Sequence, residues 1–513
     1  MRRARELFYL SLVFAGGFCS MGLEMTAARV LAPYFGTSNY IWTNVIGVIL
    51  LALSLGYYIG GRLADRSPSL RTLGYCLLAG GLLGMPIPFV IRPLAEMLLP
   101  AGLTLDNAFL LIFKGSLIGA LLFAPCVVAL GMVSPFVIRL LSDETGHVGE
   151  STGKVFAVST VGSLGGIFLS TLWLVPAIGS RSTVLLFSGV LAAVAIVILA
   201  WKRPAMGAAL LVFAPLALGN ATSIKHVAGS LGEWESGYQY IQVLEEGDTR
   251  KLSLNEGLDS FHSILVEGEY LTRGAYYDYY TAFPFLFDGQ DRLDVAVLGG
   301  GGGTTARQYR HFFADRFNVH VDSVEIDPQV SEVGRRYFDY PTEGVDVFDL
   351  DARVFMNLTD ATYDIVIVDA YANQVYIPFH VATKEFFERV HDRLGDRGVV
   401  AMNVGSFQPA TPLVEALVRT VSEVFPNSYA MILPQSRNLL VFGMKGFEGV
   451  DPLLDFAMEP ELGSIAASVA LSSLPVRERF PGLDRARLLV DAHAPVERLT
   501  DRMVWSRVRE VLR

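Results

Sequence analysis

Charge is scarce in this chain. Only 18% of its 513 residues are Asp, Glu, Lys or Arg, against about 25% in an ordinary soluble protein. Cysteine is scarcer still. The three present, Cys19, Cys76 and Cys126, all lie in apolar segments, which excludes a disulfide scaffold and points to packed thiols. Basic clusters are missing: 41 Lys and Arg against 51 Asp and Glu leave a net charge of −10, so nucleic acid is not an expected partner. The eight His are scattered, with no pair at ligand spacing to Cys or Glu, so no metal site is expected. No G-x-x-x-x-G-K followed by Ser or Thr occurs, which removes a P-loop phosphate grip.

The missing charge is concentrated before about residue 220, where long apolar runs follow one another. A helix needs roughly 20 apolar residues to cross a bilayer core. The candidate spans are Leu7–Ala27, Ile41–Ile59, Leu73–Ile91, Gly115–Ile138, Val155–Ile178 and Thr183–Ala200. Ala205–Leu218 is shorter and holds Pro215, so it is expected to be re-entrant or interfacial. No small-residue cleavage site follows the first span, which therefore reads as a retained membrane helix. Basic residues gather at Arg2, Arg3 and Arg5, from Arg62 to Arg71, at Arg139 and Lys154, and at Lys202 and Arg203. The positive-inside rule places these in the cytoplasm. Six crossings would then leave the C-terminal half there as well.

Beyond Thr222 the pattern changes to alternation with mixed charge. Tyr238–Glu245, Thr249–Leu254 and Ser263–Glu267 read as a small antiparallel unit. From Leu293 onward strands alternate with helices: Leu293–Leu298, His320–Ile326, Asp346–Asp349, Asp364–Val368 and Gly398–Val404 are the strands. That alternation predicts a doubly wound parallel sheet of the Rossmann-like kind. The expected domains are a transmembrane helical bundle over 1–222, a small β unit and connection over 223–290, and a nucleoside-binding domain over 291–513.

Ligands of such sheets bind beyond the carboxyl ends of the strands, and four features converge there. Gly299, Gly300, Gly301, Gly302 and Gly303 end the first strand, Glu325 the second, Asp351 follows the third and Asp369 the fourth. Glycines let backbone approach a ligand closely. An acid about 20 residues further on can accept ribose hydroxyls. Each feature also has a plainer reading: a tight loop, or a helix cap, as Asp327-Pro328 is expected to be. Their conjunction favours nucleoside binding.

The stretch from Tyr238 to Met444 resembles the spermidine synthase (polyamine aminopropyltransferase) family, and the whole chain resembles its membrane-fused bacterial branch. The resemblance rests on Tyr238-Gln239-x-Ile241-x-Val243, Tyr276-Tyr277-Asp278 before Phe283-Pro284, the glycine run, Val324-Glu325-Ile326-Asp327, Asp351-Ala352 and Asp364–Asp369. Ile377-Pro378-x-His380, Thr383-x-Glu385-Phe386 and Ala492–Glu497 are similar to the membrane-fused branch in particular. It implies a location in the bacterial inner membrane, with the lipid bilayer as a partner, and a homodimer that no motif shows. It further implies decarboxylated S-adenosylmethionine as substrate, no prosthetic group, and release of 5′-methylthioadenosine by aminopropyl transfer to an amine, with a polyamine as partner. Gln239, the glycine run, Glu325, Asp351 and Ala352 would hold the nucleoside; Asp369, Tyr276 and Asp278 would serve the chemistry.

The chain departs from the family where cationic amines are held. Gly302 stands in place of an Asp, Ala372 in place of a second, and Asp259 or Ser260 in place of a Gln. These losses raise an alternative, a lyase in which intact S-adenosylmethionine closes on itself to methylthioadenosine and homoserine lactone. A methyltransferase is a weaker reading. A rival of another class is a transporter or membrane sensor, suggested by Gly60–Arg66 and by Glu24 and Lys114 in or beside apolar spans.

Overall fold

The computed structural model describes residues 2–99, 105–200, 224–225, 227–256, 261–372, 376–406, 408–434 and 438–511. It divides into two compact units. The first comprises Met1–Thr104, Leu110–Val227 and Glu233–Tyr240; the second comprises Leu105–Phe109, Ala228–Gly232 and Ile241–Arg513.

The first unit is helical. The helices before the sheets are α1 (Arg2–Phe35), α2 (Asn39–Arg66), α3 (Leu70–Gly84), α4 (Ile87–Leu98), α5 (Leu105–Leu121), α6 (Ala124–Gly131), α7 (Val133–Thr145), α8 (Val148–Leu169) and α9 (Val175–Ala200). Small residues let helices meet backbone to backbone: a side chain added at Gly17, Gly162 or Gly166 would run into the α1 or α8 main chain opposite. Among the described residues, four helices are long and apolar enough to cross a membrane, or five if α3 and α4, bent by 47°, form one span.

Three expected spans are drawn differently here. Gly115–Ile138 is not continuous; the helix stops after Leu121 and restarts at Ala124, because Pro125 has no N–H to give and fits only a first turn. Val155–Ile178 and Thr183–Ala200 belong to one run of 52 residues. At about 1.5 Å per residue that run is near 78 Å long, more than twice the roughly 30 Å of a bilayer core. Gly179 divides it, with φ 77° and ψ 161°, a conformation closed to other residues in a helix. Ala205–Leu218 lies outside the described residues.

After the helices come a small sheet and a large one. The small sheet runs in the order β1 (Ser230–Glu235), β2 (Tyr240–Glu246), β3 (Thr249–Leu254) and β4 (Ser263–Val266), with β2–β3 and β3–β4 antiparallel, as the alternating pattern predicts. After α10 (Tyr276–Tyr280) come β5 (Arg292–Leu298), α11 (Thr304–Phe313), β6 (Asn318–Glu325), α12 (Pro328–Tyr337), β7 (Val345–Asp349), α13 (Ala352–Leu358) and β8 (Tyr363–Val368). Next are α14 (Lys384–Arg393), β9 (Leu394–Gly405), α15 (Pro412–Val424), β10 (Asn427–Ile432), β11 (Asn438–Lys445), α16 (Gly463–Ser472), β12 (Leu474–Pro475) and α17 (Val496–Val511).

The large sheet has the order β12-β10-β11-β9-β8-β5-β6-β7. Five strands from β9 to β7 are parallel, as expected. The other three extend it antiparallel beyond β9, so the sheet is mixed rather than wholly parallel. Both faces are covered: Val366, Val368 and Val400 pack under α14 and α15 on one side, and Val295, Ile365 and Ile367 under α11 and the Phe283–Phe287 turn on the other.

Candidate active site at the carboxyl edge of the sheet

Strand register brings the predicted residues together. Leu298 of β5 is paired with Val324 of β6 and with Val368 of β8. The next residue on each strand is Gly299, Glu325 and Asp369, so one row past the last pairs holds all three. The order reverses between β5 and β8, which is where open α/β sheets leave a crevice for ligands.

The glycine loop is shaped by need rather than by chance. Gly299 has φ +96°, and a side chain on it would collide with the Asp369 carbonyl; Gly303, at φ +89°, lies against the Tyr340 ring. The Gly299 and Gly300 amides both donate to the Val324 carbonyl, at 2.8 and 2.9 Å. Gly301 N donates to Glu325 Oε2 at 3.0 Å, and Gly302 N to Ser263 Oγ at 2.7 Å. Gly302 does not open space. A Cβ there would meet Ser263 Cβ at 3.0 Å and Phe338 Cγ at 3.2 Å.

Glu325 holds the loop and the next helix. Its Oε1 accepts from Asp327 N at 3.2 Å. Burial pushes its carboxyl up to about 7, and the Asp327 and Gly301 amides pull the other way. Asp327 caps α12 by accepting from Gln329 N at 3.1 Å, with Pro328 in the first turn, as expected. Asp351 caps α13: its Oδ1 accepts from Arg353 N at 2.9 Å and Val354 N at 3.1 Å. Its Oδ2 lies 2.9 Å from His380 Nε2, and that bond holds its carboxyl below the ordinary range. Ala352 packs into the core beside it.

Asp369 is the centre of a polar network. Tyr276 O–H donates to its Oδ2 at 2.8 Å, and Asn403 Nδ2 to its Oδ1 at 3.0 Å. Asn438 Nδ2 in turn donates to Asn403 Oδ1 at 2.6 Å. Tyr371 O–H donates to the Asn403 carbonyl at 2.8 Å. Burial raises the Asp369 carboxyl to about 7, partly offset by the Asn403 and Tyr276 hydrogen bonds. A carboxylate near 7 is matched to proton transfer at neutral pH. Burial and the adjacent Asp369 keep the Tyr276 phenol protonated, well above its ordinary value. Asn403, Asn438 and Tyr371 carry no motif signal; the strand pairing of Gly405 with Asn438 brings β9 and β11 side by side.

Two predicted residues stand elsewhere. Asp278 is buried and its carboxylate is fully used: Oδ1 accepts from Thr272 N, Thr272 Oγ1 and Gln308 Nε2, at 2.7, 2.8 and 2.8 Å, and Oδ2 from Gly274 N at 2.8 Å. Four donors leave it holding the chain ahead of α10, not facing Asp369 as a catalytic group. Two of those donors are the Thr272 and Gly274 amides of the short loop ahead of α10. Gln239 falls in the first unit, where its N–H donates to Ser236 Oγ at 3.0 Å in a turn. Asp259 and Ser260 lie outside the described residues. Ala372 is exposed, and its amide donates to the Tyr376 carbonyl at 2.8 Å.

Residues 275–448 match the family model for the spermine/spermidine synthase domain. Over 220 residues the chain is 32% identical to a probable polyamine aminopropyl transferase of Bifidobacterium longum, covering 42% of this chain and 47% of that protein. It thus spans about half the length of that relative. It is 28% identical over 303 residues to a polyamine aminopropyltransferase of Vibrio vulnificus, covering 56% of this chain and 94% of the relative. Among solved structures, a probable spermidine synthase from Corynebacterium glutamicum aligns with a TM-score of 0.41 at 21% identity, covering 52% of this chain and 97% of that one. Through its α/β half, the chain is thus similar to the spermidine synthase family.

Proposed function

We propose that this protein is a membrane-bound aminopropyltransferase that uses decarboxylated S-adenosylmethionine and releases 5′-methylthioadenosine. The observation that carries this reading is the row Gly299, Glu325 and Asp369 at the reversal of strand order, with Tyr276 and Asn403 bonded to Asp369. The glycine loop and Glu325 would receive the nucleoside, the carboxylate accepting from the ribose hydroxyls. Asp351 and Ala352 would border its base.

The chemistry follows from the charges. A neutral amine nitrogen attacks the carbon next to the sulfonium, forming a C–N bond. The C–S bond breaks with its electron pair passing to sulfur, which leaves as a neutral thioether. The new ammonium loses a proton to Asp369, whose raised pKa makes it an acceptor near neutral pH. Tyr276 orients the carboxylate, and alignment of nitrogen, carbon and sulfur supplies much of the rate.

The lyase alternative gains no support from Gly302. It needs room for a substrate carboxylate, and the space beside this glycine is taken by Ser263 and Phe338. The helical unit is proposed to place the enzyme in the bacterial inner membrane. Counting α3 with α4 as one crossing, and the 52-residue run as two divided at Gly179, would make six crossings, and the positive-inside rule would then put the catalytic unit in the cytoplasm.

Mass-spectrometric product analysis of the full chain in detergent tests the reading. Decarboxylated S-adenosylmethionine with putrescine should yield methylthioadenosine and spermidine, and neither donor alone should yield methylthioadenosine. Methylthioadenosine with homoserine lactone from S-adenosylmethionine alone would replace transfer by the lyase. S-adenosylhomocysteine would indicate methyl transfer, and no product at all would return attention to transport or sensing.

A further inference from the structure

The amino-terminal ends of β6 and β7 carry a second cluster, at the edge of the sheet opposite the candidate active site. His320 and Asp322 are two residues apart on β6, so the pleat turns both to one face. Asp346 on β7 is the register partner of Asp322. His320 Nε2 lies 3.0 Å from Asp322 Oδ1 and 3.7 Å from Asp346 Oδ2. One donor atom from each residue falls within 4.8 Å of the others.

A triangle with these edges has a point no more than about 2.4 Å from every corner. That is close to the Zn–N and Zn–O distances of roughly 2.0–2.2 Å, so a small closing of the two side chains would seat an ion. The third side chain is already oriented. Asp322 is 6% exposed, and its other oxygen accepts from Tyr363 O–H at 2.6 Å, the kind of supporting hydrogen bond that fixes a ligating carboxylate. His320 and Asp346 are open to solvent, with side chains 32% and 68% exposed, which leaves an entry path and room for water ligands.

We propose that His320, Asp322 and Asp346 form a site for a divalent transition-metal ion. One imidazole and two carboxylates suit zinc or its neighbours better than calcium, which takes six to eight oxygens. The ion would tie the edge strand β7 to β6. The sequence signal is His-x-Asp on a strand, completed by an Asp that only the register supplies.

Calorimetric titration of zinc chloride into chelator-treated full chain in detergent tests the site. One zinc per chain is expected, weakened at least about tenfold by His320→Gln and by Asp346→Asn, with X-ray absorption reporting one imidazole and oxygen ligands. Asp346→Asn, at an exposed position, keeps the test available should His320→Gln fail to fold. Absence of zinc binding, or binding that neither substitution weakens, would overturn the proposal and leave His320 a hydrogen-bond partner of Asp322 alone.

Discussion

Leu51 and Leu172 of the helical unit are 73% and 71% exposed, while Leu293 and Val366 of the α/β unit are wholly buried. The residue types are alike; their surroundings are opposite. In water an apolar side chain must be hidden, so the α/β unit puts its leucines and valines between sheet and helix. The helical unit instead hides small residues, Gly17, Gly162 and Gly166, where helices touch, and turns large apolar ones outward. That arrangement is stable when the surrounding medium is hydrocarbon. Composition alone cannot make this distinction; exposure does.

Charge sharpens the contrast. Val366→Asp would bury an unpaired carboxylate and should cost more than about 4 kcal/mol, abolishing the folded α/β unit. Leu51→Arg should leave that unit folded and cost about 2.5–3.5 kcal/mol of membrane insertion. Protease accessibility and membrane fractionation read the two outcomes separately. Leu51→Arg with undiminished insertion would mean that this face of α2 meets water.

The next effect concerns the nucleoside. Glu325→Gln keeps the shape but removes the charge that receives donors, and hydrogen bonds to charged groups are worth about 1.5–3 kcal/mol. Methylthioadenosine affinity should fall about 10- to 100-fold by calorimetry, with little change in the melting of the helical unit. An equal loss on any conservative change at the exposed Ala372 would argue against Glu325 as the ribose ligand.

A smaller effect is the pH dependence. Asp369 and Glu325 are both raised to about 7, so kcat/KM should rise with pH through an acid limb near 7. Tyr276 donates to Asp369 and lowers its pKa; Tyr276→Phe should therefore move the limb to higher pH, with a few-fold loss of rate at neutrality. Stability runs the other way. A carboxyl raised by folding contributes stability that is full below its unfolded value and lost as pH rises through its folded one. Asp369→Asn should accordingly raise the Tm of the α/β unit by an amount that grows from about pH 4 to about pH 7. A gain independent of pH would show that Asp369 is not the group involved.

Much of the α/β unit was legible because its motifs sit at strand ends. The glycine run, Val324–Asp327 and Asp364–Asp369 each announce where a strand stops, and register then does the rest. The three antiparallel strands beyond β9 were not foreseen, since the alternating strand–helix pattern ends there. Asn403 and Asn438 were invisible for a related reason: each is an ordinary strand residue until β9 and β11 pair. The four donors that Asp278 accepts from its own chain were not legible, because sequence spacing cannot distinguish an acid facing a cleft from one that satisfies a loop. In the helical unit hydropathy located the apolar runs, but not the restart at Ala124 or the break at Gly179, which depend on single residues.

The central claim is that Asp369 takes the proton in an amine-dependent transfer. Its most direct test is methylthioadenosine release by wild type and Asp369→Asn under saturating decarboxylated donor and putrescine, with methylthioadenosine binding measured on both. Release is expected only with the amine, with a fall of about 10²- to 10⁴-fold in the variant and unchanged nucleoside binding. Release at the wild-type rate from Asp369→Asn, or release that ignores the amine, would contradict it.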